Sequence, residues 1–372
     1  ADQALAELPS PPPPFQARLL RKRAQLELRR RHLPEARDAV MAAADVLRGA
    51  PQHAEHPRIR LALARLYLMQ GHLPKGIKAL EEGLALLQGQ GAKALTADQV
   101  DLTLELGRAL GNQSQLQRAS SLLEGALRMA ESGQQVRALV QVELVLSTLR
   151  VAQGETEQAL RLLQESLRAA RLHGDPLLQA QAHLHLGMVK SLQHHLAPAQ
   201  SHLDRAVERF QRAGEEAAAT LARMWRARTV AALGDRVGAE HHQLKALGGQ
   251  RALLSPLEQG DQAFLQAEVA GFGGSWRDAA RLFRQAAQIF DAAGLVWRHR
   301  LAQLRLVQAD ARDGLEAGRP ASETTWSLLE TLKGPVDGAG SRWLDLEWRK
   351  AHGLLLACAP ASDPVDQEAL GA

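Results

Sequence analysis

The amino-acid sequence predicts an all-α protein built from stacked, antiparallel helix pairs. Two observations support this: the composition favours helices, and small residues recur at a nearly constant interval. The 372 residues are 45% hydrophobic but only 3% aromatic. Ala, Leu, Gln, Arg and Glu lose little on entering a helix, whereas the β-branched and aromatic residues that favour strands are sparse. The length exceeds what one compact core usually serves, which indicates several domains or a repeat array.

The recurring small residues define the repeat. Those we call anchors are spaced by 40 residues, with one interval of 43: Ala36, Gly76, Ala119, Ala159, Ala199, Ala239 and Ala279. Twelve residues before each anchor lies another small residue: Ala24, Ala64, Gly107, Ser147, Gly187, Ala227 and Ala267. Helices approach to about 8–10 Å only where facing side chains are small. We therefore place the earlier small residue on a first helix, A, and the anchor on a second helix, B. Such pairs must stack to bury both faces.

Turn-forming residues fit the same division. Pro34 and Pro74 lie where the first turn of helix B is expected, a position that tolerates a missing N–H. The glycines that follow apolar-periodic runs are expected to end B helices: Gly133, Gly174, Gly214 and Gly294. Gly271-Phe272-Gly273-Gly274 falls at the turn between helices A and B, so it is not interpreted as a phosphate-binding loop.

The pattern resembles the tetratricopeptide repeat (TPR) family. The residues that carry the resemblance are Leu63-Ala64-x-x-Tyr67 with Gly76-x-x-x-Leu80-x-x-Gly83, Leu186-Gly187 with Ala199-x-x-x-Leu203-x-x-Ala206, and Ala279-x-x-x-Phe283-x-x-Ala286. The units are longer than the family's usual 34 residues and look like those of bacterial signalling regulators and kinesin light chains. The resemblance implies a right-handed α-solenoid of about seven to eight repeats plus a C-terminal capping helix, and a role in protein binding.

The sequence divides into four segments. Residues 1–15 form a Pro-rich linker or tail, interpreted as a spacer to another domain in preference to an SH3-type ligand. Residues 16–294 hold about seven repeats, residues 295–358 a diverged final repeat and capping helix, and residues 359–372 a flexible tail. We expect helices at about 295–313, 322–333 and 341–358. The last carries one apolar stripe that we expect to cover the end of the stack, with a buried, inert thiol: Leu344, Trp348, Ala351, Leu355 and Cys358.

No motif for catalysis or for nucleotide binding occurs in the sequence, so we expect no catalytic residue and no cofactor. Histidines cluster in the middle of the chain without the spacing of a metal site, and we expect them at the surface: His183, His185, His194, His195, His202, His241 and His242. One cysteine cannot form an intramolecular disulfide, and no apolar run approaches the roughly 20 residues that span a bilayer. We expect a cytoplasmic location.

The net charge of +4 is concentrated at the start of the chain, where residues 1–32 hold seven Lys or Arg against three acids. A candidate basic patch consists of Arg18, Arg21, Arg29 and Arg30. It would steer acidic partners, but the favoured interpretation is a polar outer face that keeps the end repeat soluble. Because the rest of the chain is balanced, a nucleic-acid partner is not expected.

The resemblance places helix A on the concave face of the solenoid. The residues it assigns to partner binding there are Arg58, Arg65, Arg108, Asn112, Thr148, Met188, Met224, Arg228, Phe264 and Phe272. This face is expected to be basic at one end and apolar at the other, with Arg65 and Arg108 as neighbours on it and no acidic side chain of the face between them. Asn112 is the chain's only Asn, so a ladder of Asn side chains along an extended peptide is not expected. All six Trp lie in the C-terminal part, where core packing is favoured over a binding role.

The leading hypothesis is a non-enzymatic protein-binding scaffold or regulatory module of a bacterial signalling or assembly system. The alternative is a repeat domain of a bacterial signalling or transcription regulator that senses a peptide or small ligand. Partners with an acidic segment fit the basic end of the expected concave face, and self-association is left open. A ligand-sensing domain would gain thermal stability with a small ligand, whereas a scaffold would respond only to a protein.

Overall fold

The computed structural model describes residues 12–50, 53–88, 96–248, 254–333 and 342–358. These residues form 17 α-helices and no strand, which confirms the all-α prediction. In chain order the helices are α1 (Pro13–Arg30), α2 (Leu33–Val46), α3 (Glu55–Met69), α4 (Leu73–Gln88), α5 (Thr96–Asn112), α6 (Leu116–Ser132), α7 (Val136–Ala152), α8 (Thr156–Leu172), α9 (Pro176–Leu192), α10 (Leu196–Arg212), α11 (Glu216–Ala232), α12 (Arg236–Leu247), α13 (Pro256–Phe272), α14 (Trp276–Ala292), α15 (Val296–Glu316), α16 (Glu323–Thr331) and α17 (Arg342–Ala357).

Successive helices pack as hairpins, each with an odd-numbered A helix and an even-numbered B helix. The chain comprises two compact units, residues 1–146 and residues 147–372, and the boundary falls within α7. In the first unit α1 packs on α2, α3 on α4 and α5 on α6. In the second unit α9 packs on α10, α11 on α12, α13 on α14 and α15 on α16. Consecutive pairs also touch, as α10 does α11 and α14 does α15, so each unit is a stack of hairpins.

Small residues lie between the two helices of each hairpin, as the repeat predicts. The alanines of both sets are essentially inaccessible: Ala24, Ala36, Ala64, Ala119, Ala159, Ala199, Ala227, Ala239, Ala267 and Ala279. At Gly107, an added Cβ would lie 2.6 Å from Cγ of Leu123, four residues after the anchor Ala119. Large residues at that position therefore fill the space that the small residues leave, and the close approach of α5 and α6 depends on the missing side chain.

The turns confirm the predicted helix ends. A left-handed backbone is adopted by the glycines that follow α8, α10 and α14: Gly174, Gly214 and Gly294. Gly133 also ends its helix, α6, but its φ is −86°, and the left-handed residue is the next one, Gln134. Pro34 and Pro74 are each the second residue of a B helix, where no intrahelical N–H bond is lost.

The end of the second unit is formed by α15, α16 and α17. The predicted apolar stripe of α17 packs into one cluster with residues of α15: Leu344, Trp348, Ala351, Leu355 and Cys358 meet Leu304, Val307 and Ala311. The Cys358 thiol donates a hydrogen bond to the carbonyl oxygen of Ala311 over 3.2 Å. Burial raises the pKa of this thiol, so the prediction of an inert cysteine on a covering helix is supported.

The predicted ends of the chain are only partly described. Helix α1 already begins at Pro13, three residues before the boundary expected at residue 16. The rest of the predicted linker and the tail at 359–372 lie outside the described residues, and the four-segment division stays a prediction. Across the described ranges, no helix has the length and apolarity needed to cross a membrane.

Candidate binding surface on the A helices

Arg58 is the first residue assigned to the binding face, and it is already paired with two carboxylates. Its Nε donates to Oδ2 of Asp98 on the neighbouring A helix over 2.8 Å. Its Nη1 donates to Oε1 of Glu55, one turn earlier on α3, also over 2.8 Å. The side chain remains 36% exposed, so it is a half-buried cross-link between α3 and α5. Its role in partner binding stays a prediction.

Glu105 lies between Arg65 and Arg108. Nε of Arg65 donates to Oε1 of Glu105 over 3.0 Å, and Nη1 of Arg108 donates to Oε2 over 3.3 Å. Although burial favours its neutral form, Arg108 and Arg65 hold the pKa of Glu105 below its usual range. The expectation of two arginines without an acidic neighbour is therefore wrong. Glu105 precedes Arg108 by one turn of α5 and meets Arg65 across from the neighbouring helix α3.

One residue of the candidate basic patch, Arg21, is buried in the core. Arg21 is 5% exposed, and its Nε donates to Oε2 of Glu55 over 2.7 Å. It shares the buried face of α1 with Ala17, Ala24 and Leu28, at the spacing of successive turns, so its expected place on the surface is wrong. The remaining members are exposed: Arg18, Arg29 and Arg30.

Several other assigned residues lie in or near the core of the second unit. Met224 is 1% exposed and packs with Ala246 and Leu265, so its expected exposure is wrong. Phe264 is partly buried, and its ring meets that of Phe283 edge-on with centroids 5.2 Å apart. These two side chains therefore pack both within their own hairpin and against the next one. Three further assigned residues are partly or fully exposed: Asn112, Thr148 and Met188.

Arg228 of α11, another residue assigned to the binding face, is buried. It is 3% exposed, and its Nε donates to Oε2 of Glu268 on the next A helix. Its Nη1 donates to Oγ of Ser191 on the preceding A helix over 2.8 Å. The guanidinium carbon lies 5.5 Å from the ring centroids of both Trp225 and Phe272, a cation–π distance. The expectation of an exposed Arg228 is wrong because these groups enclose it.

The contacts of Arg228 continue across the next A helices. Glu268 lies 3.6 Å from Nε of Arg305 on α15, and Arg305 lies 3.4 Å from Glu347 on α17. Gln308 donates from Nε2 to Oε2 of Glu347 over 2.9 Å. We call this set the polar ladder: Ser191, Arg228, Glu268, Arg305, Gln308 and Glu347. Buried charges are tolerated where they are paired and hydrogen-bonded, as here.

The carboxylates of the polar ladder are held in their charged form. Burial favours a neutral Glu268, but Arg228 and Arg305 and the hydrogen bond from Arg228 keep its pKa below the usual range. Glu347 is also buried, and Arg305, Gln308 and Lys350 lower its pKa in the same way. The ladder therefore presents few unsatisfied charges to a partner.

Phe272 is the exposed aromatic of this surface. It is the last residue of α13 and is 43% exposed, although its ring lies beside the Arg228 guanidinium. Arg228 is itself fixed by Ser191 and Glu268, so the ring rests on a preorganised support. We call Trp225, Arg228 and Phe272 the aromatic–arginine site.

The histidine cluster differs from its expected surface location. His183 is 1% exposed, and its Nδ1 shares a hydrogen bond of 2.9 Å with Nδ1 of His202. His183 lies on α9 facing α10, so the prediction of surface histidines is wrong for this residue. In the described ranges, no group of three or more His, Cys, Asp or Glu side chains could hold a metal ion.

Comparisons with known proteins give structural neighbours. No family model matches the sequence, and no curated protein matches it. The Rap conjugation gene regulator of the plasmid pLS20, solved in complex with the Phr* peptide, is 12% identical with a TM-score of 0.61, covering 92% of this chain and 98% of that chain. The apo form of the quorum sensor NprR from B. thuringiensis is 12% identical with a TM-score of 0.57, covering 89% and 90%. The chain has a TPR-like fold. At such identities the similarity extends to the fold alone.

The TPR-like repeat explains why sequence analysis missed the polar ladder. Arg228 and Glu268 are 40 residues apart, which is one repeat length, and so are Arg65 and Glu105. Stacked repeats bring such residues side by side on neighbouring A helices. A search for opposite charges separated by one repeat would have found both pairs. Arg21 and Glu55 are 34 residues apart, which is not one repeat length, so the same search would not have found this buried pair.

Proposed function

We propose that the protein is a non-enzymatic regulatory module that binds a protein partner through the A-helix face of its second unit, at the aromatic–arginine site. The observation that carries the proposal is the exposed Phe272 ring on its buried, hydrogen-bonded Arg228 support. Exposed aromatic side chains held in fixed positions are typical centres of binding energy at protein interfaces. The cytoplasmic and bacterial setting expected from the sequence remains a prediction.

The chemistry of this surface favours an apolar side chain in the partner. Arg228 and Glu268 neutralise each other, so a partner meets the Phe272 ring and not a free charge. In the first unit, Arg65 and Arg108 share Glu105, and an acidic partner would have to compete with that carboxylate. Binding at the second unit should therefore depend little on salt.

A comparison of three bait proteins tests the proposal. Wild type, Phe272→Ala and Leu244→Ala would each be used to capture proteins from a lysate of the source organism, and captured candidates would be purified and titrated by calorimetry. Leu244 is the control because it is 69% exposed on a B helix. We expect Phe272→Ala to weaken binding about tenfold or more and Leu244→Ala to leave it unchanged. A purified partner that binds Phe272→Ala as tightly as wild type would contradict the proposed site.

Peptide sensing is the second candidate function. It is supported by the likeness, over most of both chains, to a Rap regulator solved with a Phr* peptide. A peptide-sensing module should gain thermal stability on adding its peptide, by mass action. A protein scaffold should be stabilised only by its protein partner. Melting curves with fractionated small peptides and with captured proteins separate the two candidates.

A further inference from the structure

A cavity of about 520 Å³ lies among α8, α9 and α10 of the second unit. Its apolar lining comes from Leu167 and Leu172 of α8 and Leu186 of α9, with His202 of α10 completing the wall. We call it the B-side pocket because two of its three helices are B helices. Its volume falls within the range of about 300–1,000 Å³ that is usual for small-molecule sites.

Three cationic side chains surround this pocket: Arg168 and Arg171 of α8 and Lys190 of α9. No carboxylate contributes to its lining. In the described part of the chain, these three side chains form no ion pair or side-chain hydrogen bond, whereas Arg212 on the adjoining helix α10 pairs with Glu208 at 2.5 Å. Like charges gathered without a carboxylate among them repel one another, and a bound anion would reduce this repulsion.

A histidine pair lies beside the pocket among several of the same positive charges. Burial and the charges of Lys190, Arg205 and Arg171 lower the pKa of His202 to about 4. Burial first, and then His202 and nearby arginines, lower that of His183 to about 3. The charged groups that act on the pair come from all three helices: Arg171 of α8, Lys190 of α9, and Arg205 and Arg209 of α10. Both imidazoles are therefore neutral near pH 7 beside a concentration of positive charge.

We propose that the B-side pocket binds a small amphipathic anion, a molecule whose carboxylate, sulfonate or phosphate group is joined to an alkyl chain or ring. Its apolar part would contact Leu167, Leu172 and Leu186. Its anionic group would be held by Arg168, Arg171 and Lys190, and a guanidinium can grip such a group with two hydrogen bonds. This site goes beyond the proposed function, because it lies among α8, α9 and α10 and not at the aromatic–arginine site.

Binding of 8-anilinonaphthalene-1-sulfonate, a fluorescent amphipathic anion, provides the first test. We expect saturable binding to the native chain, with octanoate displacing the dye. Octanol, which has the alkyl chain without the charge, and inorganic phosphate, which has charge without the chain, should each displace it at least about tenfold less well, because both parts contribute to affinity. Equal displacement by octanoate and octanol would show that the cationic residues do not recognise the ligand.

Two surface variants locate the site. Arg171→Gln should weaken dye and octanoate binding about tenfold, the loss expected for one charge-assisted contact. Arg161→Gln removes a charge from an exposed position of the same helix outside the pocket and should have no effect. Leu172→Glu changes a side chain that is 83% exposed, so it should repel the anion without disturbing the fold. Leu244→Glu, on α12, is its control and should leave binding of the anion unchanged. Wild-type affinity in both Arg171→Gln and Leu172→Glu would overturn the proposal.

Discussion

A Cβ atom on Gly187 would lie 2.6 Å from Cγ of Leu203 and 3.3 Å from the carbonyl oxygen of Ala199. The hydrogen atom at Gly187 therefore permits α10 to approach α9, and the Leu203 side chain fills the gap beside it. This is the same relation that Gly107 has with Leu123 in the first unit. One packing rule thus operates in both compact units.

Replacing Gly187 tests this rule. Gly187→Ala should destabilise the fold by about 1–3 kcal/mol because Leu203 must shift, and Gly187→Leu should cost more. Gly125→Ala is the control: its new Cβ would meet only the end of Arg128, 4.0 Å away. This control should be neutral or stabilising by up to about 1 kcal/mol. Urea unfolding followed by circular dichroism measures both, and equal stability of Gly187→Ala and wild type would refute the contact.

Replacing Arg228 should destabilise the fold, because the buried Glu268 would lose its main counter-ion. Arg228→Met leaves Glu268 in the interior with only Arg305 nearby, and we expect a loss of about 3–5 kcal/mol. Arg212→Met breaks an ion pair whose arginine side chain is 75% exposed and should change stability by less than about 1 kcal/mol. Denaturant unfolding of the two variants decides, since similar losses would mean that the polar ladder contributes no more than a surface pair.

The pH dependence of stability provides a separate check on Glu268. Because its pKa is lowered in the folded chain, its ionised form stabilises the fold above its unfolded pKa, and this contribution disappears as the pH falls through the folded value. Arg228→Met removes the strongest opposing charge, so the pKa of Glu268 should rise. The acid-induced loss of stability attributable to Glu268 should then be smaller than in wild type, because the folded pKa moves toward or above the unfolded value. Unfolding free energies of both proteins between pH 7 and pH 3 measure this, and an equal acid-induced loss in the variant and in wild type would contradict it.

Substitutions of Arg21 and Arg29 distinguish a buried arginine from an exposed one on the first helix. Arg21→Ala leaves the buried Glu55 with only Arg58 as its cation and should destabilise the fold by about 3 kcal/mol. Arg29→Ala changes an exposed side chain and should be nearly neutral. Thermal melting of both variants under one buffer condition tests the assignment. Equal melting temperatures would contradict the buried position of Arg21 and would favour its place in the surface patch.

The His183–His202 pair should make the fold sensitive to mild acid. Both pKa values are lowered, so the unfolded chain binds more protons, and stability should fall as the pH drops from about 6.5 toward the folded values. His202→Gln should lose less stability than wild type between pH 7 and pH 5. His173→Gln, at an exposed histidine, should behave like wild type. Imidazole NMR signals for the pair that titrate near pH 6.5 would contradict this prediction.

The helical backbone could be predicted from the sequence more fully than the surroundings of individual side chains. The anchors and their partners could be predicted because helix packing demands small residues at fixed intervals. Burial of Met224 could not be predicted, since it depends on how closely Ala246 and Leu265 of neighbouring helices approach. The His183–His202 contact joins residues 19 apart on successive helices, and no interval of the repeat indicates it.

The polar ladder also limits how this chain could be rebuilt. Excising or duplicating one 40-residue repeat after Ala119 would keep the small residues in register, because they recur at that interval. The charges have no such interchangeability: Arg228 would meet a neighbour other than Glu268, and a buried cation would lose its counter-ion. The small residues would allow the repeats to be exchanged, whereas the charge pairs specify the order in which the repeats of residues 147–372 follow one another.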